Sequence, residues 1–103
     1  MTAPLPLVKL DVIDPDEHAH LLLGFLGVTQ INEFSPKAAT EELHRTICRS
    51  YNHRLEELAT RTVCHFVMIG KIDRNDFDLA YGDLLTKLKM IRDRWTHKHR
   101  LII

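Results

Sequence analysis

The sequence contains few of the residues that interrupt regular structure. Its 103 residues include four glycines and four prolines, and every proline precedes residue 37. So few breakers in the rest of the chain favour long helices. The two cysteines, Cys48 and Cys64, are too few for a disulfide framework. We therefore expect both thiols to be reduced, as they are in cytoplasmic proteins.

The chain also lacks a long apolar run. The longest, Leu21–Val28, is far shorter than the roughly 20 apolar residues that a membrane-spanning helix needs. Acidic residues precede it, whereas a secretory signal begins with basic ones. Apolar and charged fractions of 45% and 27% are typical of a globular protein. We expect one domain over residues 1–103, in the cytoplasm and without a membrane partner.

Basic residues are scarce in the N-terminal part of the chain and acidic residues are scarce near its C-terminus, although the net charge is zero. Residues 1–43 carry two basic and seven acidic side chains, whereas residues 87–103 carry six basic and one acidic. Such a gradient can serve self-association, docking of the two ends or attraction of an anion. Part of it also follows from the dipoles of helices.

Two sequence patterns mark the start of helices in the first half of the chain. Asp14 followed by Pro15 is typical of an N-cap and first helical position, which predicts a helix over about 15–27 that ends near Gly27. Ser35 followed by Pro36 predicts a second helix in the same way. Residues 8–12 alternate apolar and charged side chains, so the segment before the first helix is expected to be extended.

The second and third helices each carry an apolar stripe. Gaps of three and four residues predict one continuous helix over about 36–69, which Gly70 ends, and another over about 75–98. Stripes of this kind pack against each other in an antiparallel hairpin. The predicted dimer and core stripe consists of Leu43, Ile47, Tyr51, Leu55, Leu58, Phe66, Phe77, Tyr81, Leu84, Leu88, Ile91 and Trp95.

The two long helices are predicted to differ in length. At 1.5 Å per residue they would span about 50 Å and about 36 Å, so the third helix cannot cover the whole of the second. Leu43 and Ile47 would remain uncovered unless the first helix or a second copy of the chain packs on them. We predict a homodimer, and hence an all-α dimeric bundle.

The last helix ends in a basic segment. In a two-fold dimer it would appear twice and could neutralise phosphates, so nucleic acid is the alternative partner. The simpler explanation is that basic side chains are common at the C-terminal end of a helix, where the helix dipole is negative. The predicted partner-binding or nucleic-acid-binding residues are Lys87, Lys89, Arg92, Arg94, Lys98 and Arg100.

Arg92 and His97, five positions apart, form an arginine–histidine pair. This pair resembles the short motif of HEPN-domain ribonucleases, which are small all-helical dimers. The resemblance implies that the two side chains cut RNA at a dimer interface by acid–base and electrostatic chemistry. Arg94 and His99 match the same spacing. The resemblance covers six residues and is a further alternative, in which Arg92 and His97 would be catalytic.

Metal and cofactor chemistry is not indicated. His44 and Cys48 lie one helical turn apart, but the sequence has no C-x2-C or H-E-x-x-H spacing, so we predict no metal site and no cofactor.

Arg54, Arg61 and Lys71 resemble the cationic residues of helical chorismate mutases, which bind an anionic substrate. Without a nucleophile–base pair or a phosphate loop, the main hypothesis is a non-enzymatic adaptor or inhibitor that binds an unidentified protein.

Overall fold

A computed structural model describes residues 13–99, with side chains as far as Trp95. The described part is all-helical and contains no strand. Its four helices are α1 (Ala19–Phe25), α2 (Pro36–Cys48), α3 (Asn52–Met68) and α4 (Phe77–His99). Short 3-10 turns over Ile31–Glu33 and Arg74–Asp76 precede α2 and α4. The predicted extended N-terminal segment over residues 1–12 lies outside the described residues.

Three of the predicted helix boundaries are confirmed. The Ser35 hydroxyl accepts a hydrogen bond from the Ala38 amide at 3.2 Å, and Pro36 is the first residue of α2. Gly27 and Gly70 follow α1 and α3 with φ angles of 84° and 79°, a backbone region that glycine enters without a steric penalty. The serine therefore begins α2, and the two glycines end α1 and α3, at the positions that the sequence predicted.

The first helix is shorter than predicted, because Asp14 does not cap it. Asp14 Oδ1 accepts from the Asp16 amide at 3.0 Å, and the His18 amide donates to the Pro15 carbonyl at 3.2 Å. An aspartate that bonds two residues ahead closes a turn instead of starting a helix. The chain makes this turn first, and α1 begins only at Ala19.

The continuous helix predicted over residues 36–69 is wrong, since α2 ends at Cys48 and α3 begins at Asn52. Ser50 Oγ donates to the Thr46 carbonyl at 2.8 Å, and Tyr51 is extended with ψ of 166°. Serine and asparagine side chains compete for backbone hydrogen bonds, so they favour helix ends over helix interiors. Tyr51 turns outward and is 77% exposed, so its assignment to the core stripe is also wrong.

The chain itself covers Leu43 and Ile47, the part of the stripe that was expected to need a partner. Helix α4 packs against both α2 and α3, and α1 packs against the same two helices. Leu43 and Ile47 are 0% exposed, so the length argument for the homodimer is wrong. Of the other predicted stripe residues, Leu55, Leu58, Phe66, Leu84 and Leu88 are buried, whereas Phe77, Tyr81, Ile91 and Trp95 are half-buried.

Among the described side chains, the core is apolar apart from Ser50 and Thr62. Thr62 is 0% exposed, and its hydroxyl donates a hydrogen bond to the Leu58 carbonyl at 2.8 Å, so this buried hydroxyl is satisfied within its own helix.

Across residues 13–99, none of the helices is both long enough and apolar enough to cross a membrane.

Candidate functional site

A groove opens between α2 and the C-terminal half of α4. Its cavity volume is about 490 Å³, whereas a second cavity, beside Arg54 and Arg61, has about 190 Å³. Grooves of the larger size hold ligands or the side chains of a partner. The groove is lined by Lys37, Thr40, Glu41, His44, Ile91, Arg94 and Trp95.

Two apolar side chains of α4, Ile91 and Trp95, form one side of the groove. They lie four residues apart, so they share a face of the helix. Both are half-buried, and Ile91 packs against the core. The sequence placed them at the end of the core stripe. The structure shows that this end of the stripe leaves part of its apolar surface open to the groove.

Three charged side chains stand on the groove walls. Lys37 and Glu41 lie one turn apart on α2, and Arg94 lies on α4; all three are exposed. Within the described residues, no ion pair joins any of them to another side chain. Charges of both signs at the groove edge therefore remain available to a binding partner.

One end of the groove is held by contacts to the turn before α1. His44 Nε2 lies 2.7 Å from Asp16 Oδ1. The Thr40 hydroxyl donates to the Pro36 carbonyl at 3.1 Å and lies 3.5 Å from the Asp16 carbonyl. Because His44 and Thr40 are engaged in these contacts, they act as structural members of the groove wall. The sequence did not single out Lys37, Thr40 or Glu41 as binding residues.

The predicted basic surface is only partly available. Lys87 Nζ pairs with Asp83 at 2.9 Å and donates to the Ile13 carbonyl at 3.2 Å. Desolvation by burial lowers the pKa of Lys87 and raises the pKa of Asp83. Lys89 and Arg94 are five residues apart and so lie on different sides of α4. Nucleic-acid binding stays a prediction, and the Lys98 side chain and Arg100 lie outside the described residues.

Arg92 connects α4 to the break between α2 and α3. Its guanidinium donates to Asn52 Oδ1 at 2.6 Å and lies 3.5 Å from the Ser50 carbonyl. It also lies 3.7 Å from Asp93. The ribonuclease hypothesis requires Arg92 to face a substrate, whereas here it holds two helix ends together. The His97 side chain lies outside the described part of the chain.

The other candidate chemical groups are also engaged in local contacts. Arg54 donates to the Leu26 carbonyl at 2.9 Å, and Arg61 pairs with Glu57 at 3.3 Å. Both line the smaller cavity, but Lys71 does not, so the three cations do not form one site. In the part of the chain that the structure describes, no three metal-ligating side chains form a group that could hold an ion.

The two cysteines differ in exposure, which predicts different reactivity. Cys64 is exposed, whereas Cys48 is half-buried and its thiol donates to the Arg45 carbonyl at 3.0 Å. Burial raises the pKa of Cys48 against the opposing effect of Arg49 and Arg45. Since only the thiolate attacks, Cys48 should react slowly with a disulfide reagent near pH 8 and accelerate at higher pH than an ordinary thiol.

Time-resolved absorbance with a chromogenic disulfide reagent tests this difference. Wild type should show one fast and one slow phase. The Cys64→Ser variant should keep only the slow phase, and Cys48→Ser only the fast one. A fast phase that disappears in Cys48→Ser instead would contradict the assignment.

The groove combines apolar side chains with unpaired charges, and neither a cysteine nor a serine lines it among the described residues. This arrangement is suited to binding a partner that carries both apolar and charged groups. No protein-family model, no curated protein and no solved structure matches this chain, so the groove residues themselves carry the functional argument.

Proposed function

We propose that the protein is a small non-enzymatic binding protein, an adaptor or inhibitor that works in the cytoplasm by contact with another protein. The groove between α2 and α4 supports this proposal. It offers a cavity of about 490 Å³ with two apolar side chains and unpaired charges at its edge. Grooves of this kind commonly accept an amphipathic helix of a partner, which lays its apolar face into the groove.

The groove residues indicate the chemistry of that partner. Ile91 and Trp95 would accept one or two bulky apolar side chains, and aromatic residues of this kind often dominate the binding energy. Lys37 and Arg94, on opposite walls, would each pair with a carboxylate of the partner. Glu41 disfavours a purely acidic segment, because it would repel a carboxylate placed beside it. We therefore expect an amphipathic segment with apolar anchors and acidic flanks.

A peptide selection with a built-in reporter tests the proposal. Trp95 is the single tryptophan of the chain, so its fluorescence reports the groove alone. Tryptophan-free peptides selected from a random displayed library should carry apolar residues flanked by carboxylates and should change the Trp95 emission. Lys37→Glu should raise their dissociation constant about tenfold or more, which corresponds to about 1.4 kcal/mol.

The matched control is Lys71→Glu, which makes the same charge change at an exposed position in the loop after α3. It should leave the dissociation constant within about twofold of wild type, as expected of a charge outside the binding surface. Peptides that bind without changing Trp95 emission, and equally well to Lys37→Glu, would place the binding surface elsewhere and overturn the proposal.

The proposal keeps the homodimer, but for a different reason. Leu43 and Ile47 no longer support it, since the chain buries both of them. Exposed apolar residues on the outer side of α4, Leu79 and Met90, support it instead. A dimer would present the groove twice, which would strengthen binding to a partner that carries two copies of the segment.

A further inference from the structure

We infer that the outer face of α4 is a self-complementary surface on which a second copy of the chain packs in antiparallel orientation. The inference rests on the homodimer in the proposed function and names its interface. We call this surface the α4 strip and define it as Leu79, Gly82, Thr86 and Met90.

The α4 strip lies on the side of the helix that faces away from the core. Its residues are spaced by three, four and four positions, so they follow one face of the helix. Leu84 and Leu88, on the opposite face, are 0% exposed. Leu79 and Met90 are 60% and 52% exposed, although both are large and apolar. The strip therefore leaves two large apolar side chains more than half exposed, although Met90 also borders a small cavity beside Asp14 and Asp16.

The spacing of the strip suits a second copy of the same helix. Leu79 and Met90 are eleven residues apart, which is about three turns or about 16 Å along the axis. A two-fold axis midway between them places Leu79 of each copy against Met90 of the other. Each residue then contacts a different residue of the second copy, as in an isologous interface.

The middle of the strip allows the two helices to approach closely. Gly82 has no side chain, and a Cβ atom added there would meet nothing within 4 Å. Thr86, one turn later, is exposed, and its hydroxyl donates to the Gly82 carbonyl at 2.8 Å. Helices pack with axes about 8–10 Å apart, and small residues at the contact permit the shorter distances.

The charges beside the strip select the antiparallel orientation. Asp78 lies in the first half of α4 and Lys89 in the second half, and no ion pair among the described side chains involves either of them. They are eleven residues apart, so they lie on the same side of the strip. In an antiparallel pair Asp78 of each copy faces Lys89 of the other, whereas a parallel pair would set like charges against each other. Asp83 and Asp93 have partners within the chain, Lys87 at 2.9 Å and Arg92 at 3.7 Å.

Sedimentation velocity on the full chain tests the interface. At micromolar concentration wild type should sediment as a species of twice the 12.0 kDa chain mass. Met90→Glu would place two carboxylates at the interface, so it should raise the dimer dissociation constant at least about tenfold. The matched control is Met68→Glu, the same substitution at an apolar position on α3 that is 85% exposed, and it should remain dimeric.

Disulfide trapping tests the orientation. In a Cys48→Ser, Cys64→Ser background, a chain with Leu79→Cys and a chain with Met90→Cys should crosslink when mixed and oxidised, and neither should crosslink with itself. Crosslinking of each chain with itself would indicate a parallel pair and overturn the inference. So would a monomer at all concentrations, or a dimer that Met90→Glu leaves intact, since the strip would then serve another purpose.

Two variants distinguish a failure of the proposed groove from a failure of the proposed dimer interface. Lys37→Glu lies on α2, outside the strip, so it should weaken peptide binding and leave the dimer unchanged. Met90→Glu should break the dimer and leave each chain able to bind one selected peptide. Loss of only one of these activities in each variant, as measured by sedimentation and Trp95 fluorescence, separates the interface from the groove.

Discussion

Replacing Leu43 with alanine is expected to lower the free energy of unfolding by about 2–5 kcal/mol, the range for truncating a fully buried leucine. Leu43 is 0% exposed and belongs to the core that α1, α2 and α4 enclose. Truncation would leave a cavity that helices packed on several sides cannot fill. Urea denaturation followed by circular dichroism measures the change, with the slope checked for two-state unfolding.

The same variant separates burial within one chain from burial between two. If α1 and α4 cover Leu43, the alanine variant should dimerise as wild type does in sedimentation while it loses stability. A variant that keeps its stability as a monomer but no longer dimerises would instead place Leu43 at the interface. Tyr51→Ala is the control, because Tyr51 is 77% exposed and its loss should change stability by less than about 0.5 kcal/mol.

The helix caps could be predicted because the interactions that form them involve only neighbouring residues. Ser35 caps α2 with its own hydroxyl, and Gly27 and Gly70 adopt the positive φ that ends α1 and α3. Each of these signals involves residues within one turn of the helix end. Asp14 shows the limit of the same reasoning. A short aspartate side chain can bond two residues ahead as readily as three, and only the packing of the following turn decides.

The break at residues 49–51 could not be predicted from periodicity. The apolar positions Ile47 and Leu55 continue the same spacing on either side of it, since both helices face one core. Neither glycine nor proline marks the interruption. Part of what stabilises it comes from Arg92, about 40 positions away in the sequence. A one-dimensional pattern cannot show a hydrogen bond across such a separation.

The sequence analysis named the apolar residues of the groove but not its charged ones. Ile91 and Trp95 follow the heptad spacing and were assigned to the core, which their half-buried state partly fits. Lys37 and Glu41 look like ordinary solvent-exposed residues of an amphipathic helix. They become groove walls only because the break turns α2 into a separate helix beside the end of α4. The error over the break and the missed groove thus have one physical origin.

Arg92→Ala is expected to lower the free energy of unfolding by about 1.5–3 kcal/mol, the range for hydrogen bonds to a charged group. Arg92 donates to Asn52 Oδ1 at 2.6 Å and approaches the Ser50 carbonyl, so its loss would release both ends of the break. Arg92→Lys should lose less, since lysine keeps the charge but not the planar fork of donors. Urea denaturation gives both values.

Arg94→Ala provides the control, because Arg94 is exposed and without an ion pair among the described side chains, and its stability change should stay within about 0.5 kcal/mol. RNA-cleavage assays on the same proteins then discriminate between the two roles of Arg92. A structural role predicts that Arg92→Ala loses stability while neither wild type nor variant cuts RNA. A variant as stable as wild type that abolishes RNA cleavage by the wild-type protein would instead support the ribonuclease hypothesis, since Arg92 would then act on a substrate and not on the helix ends.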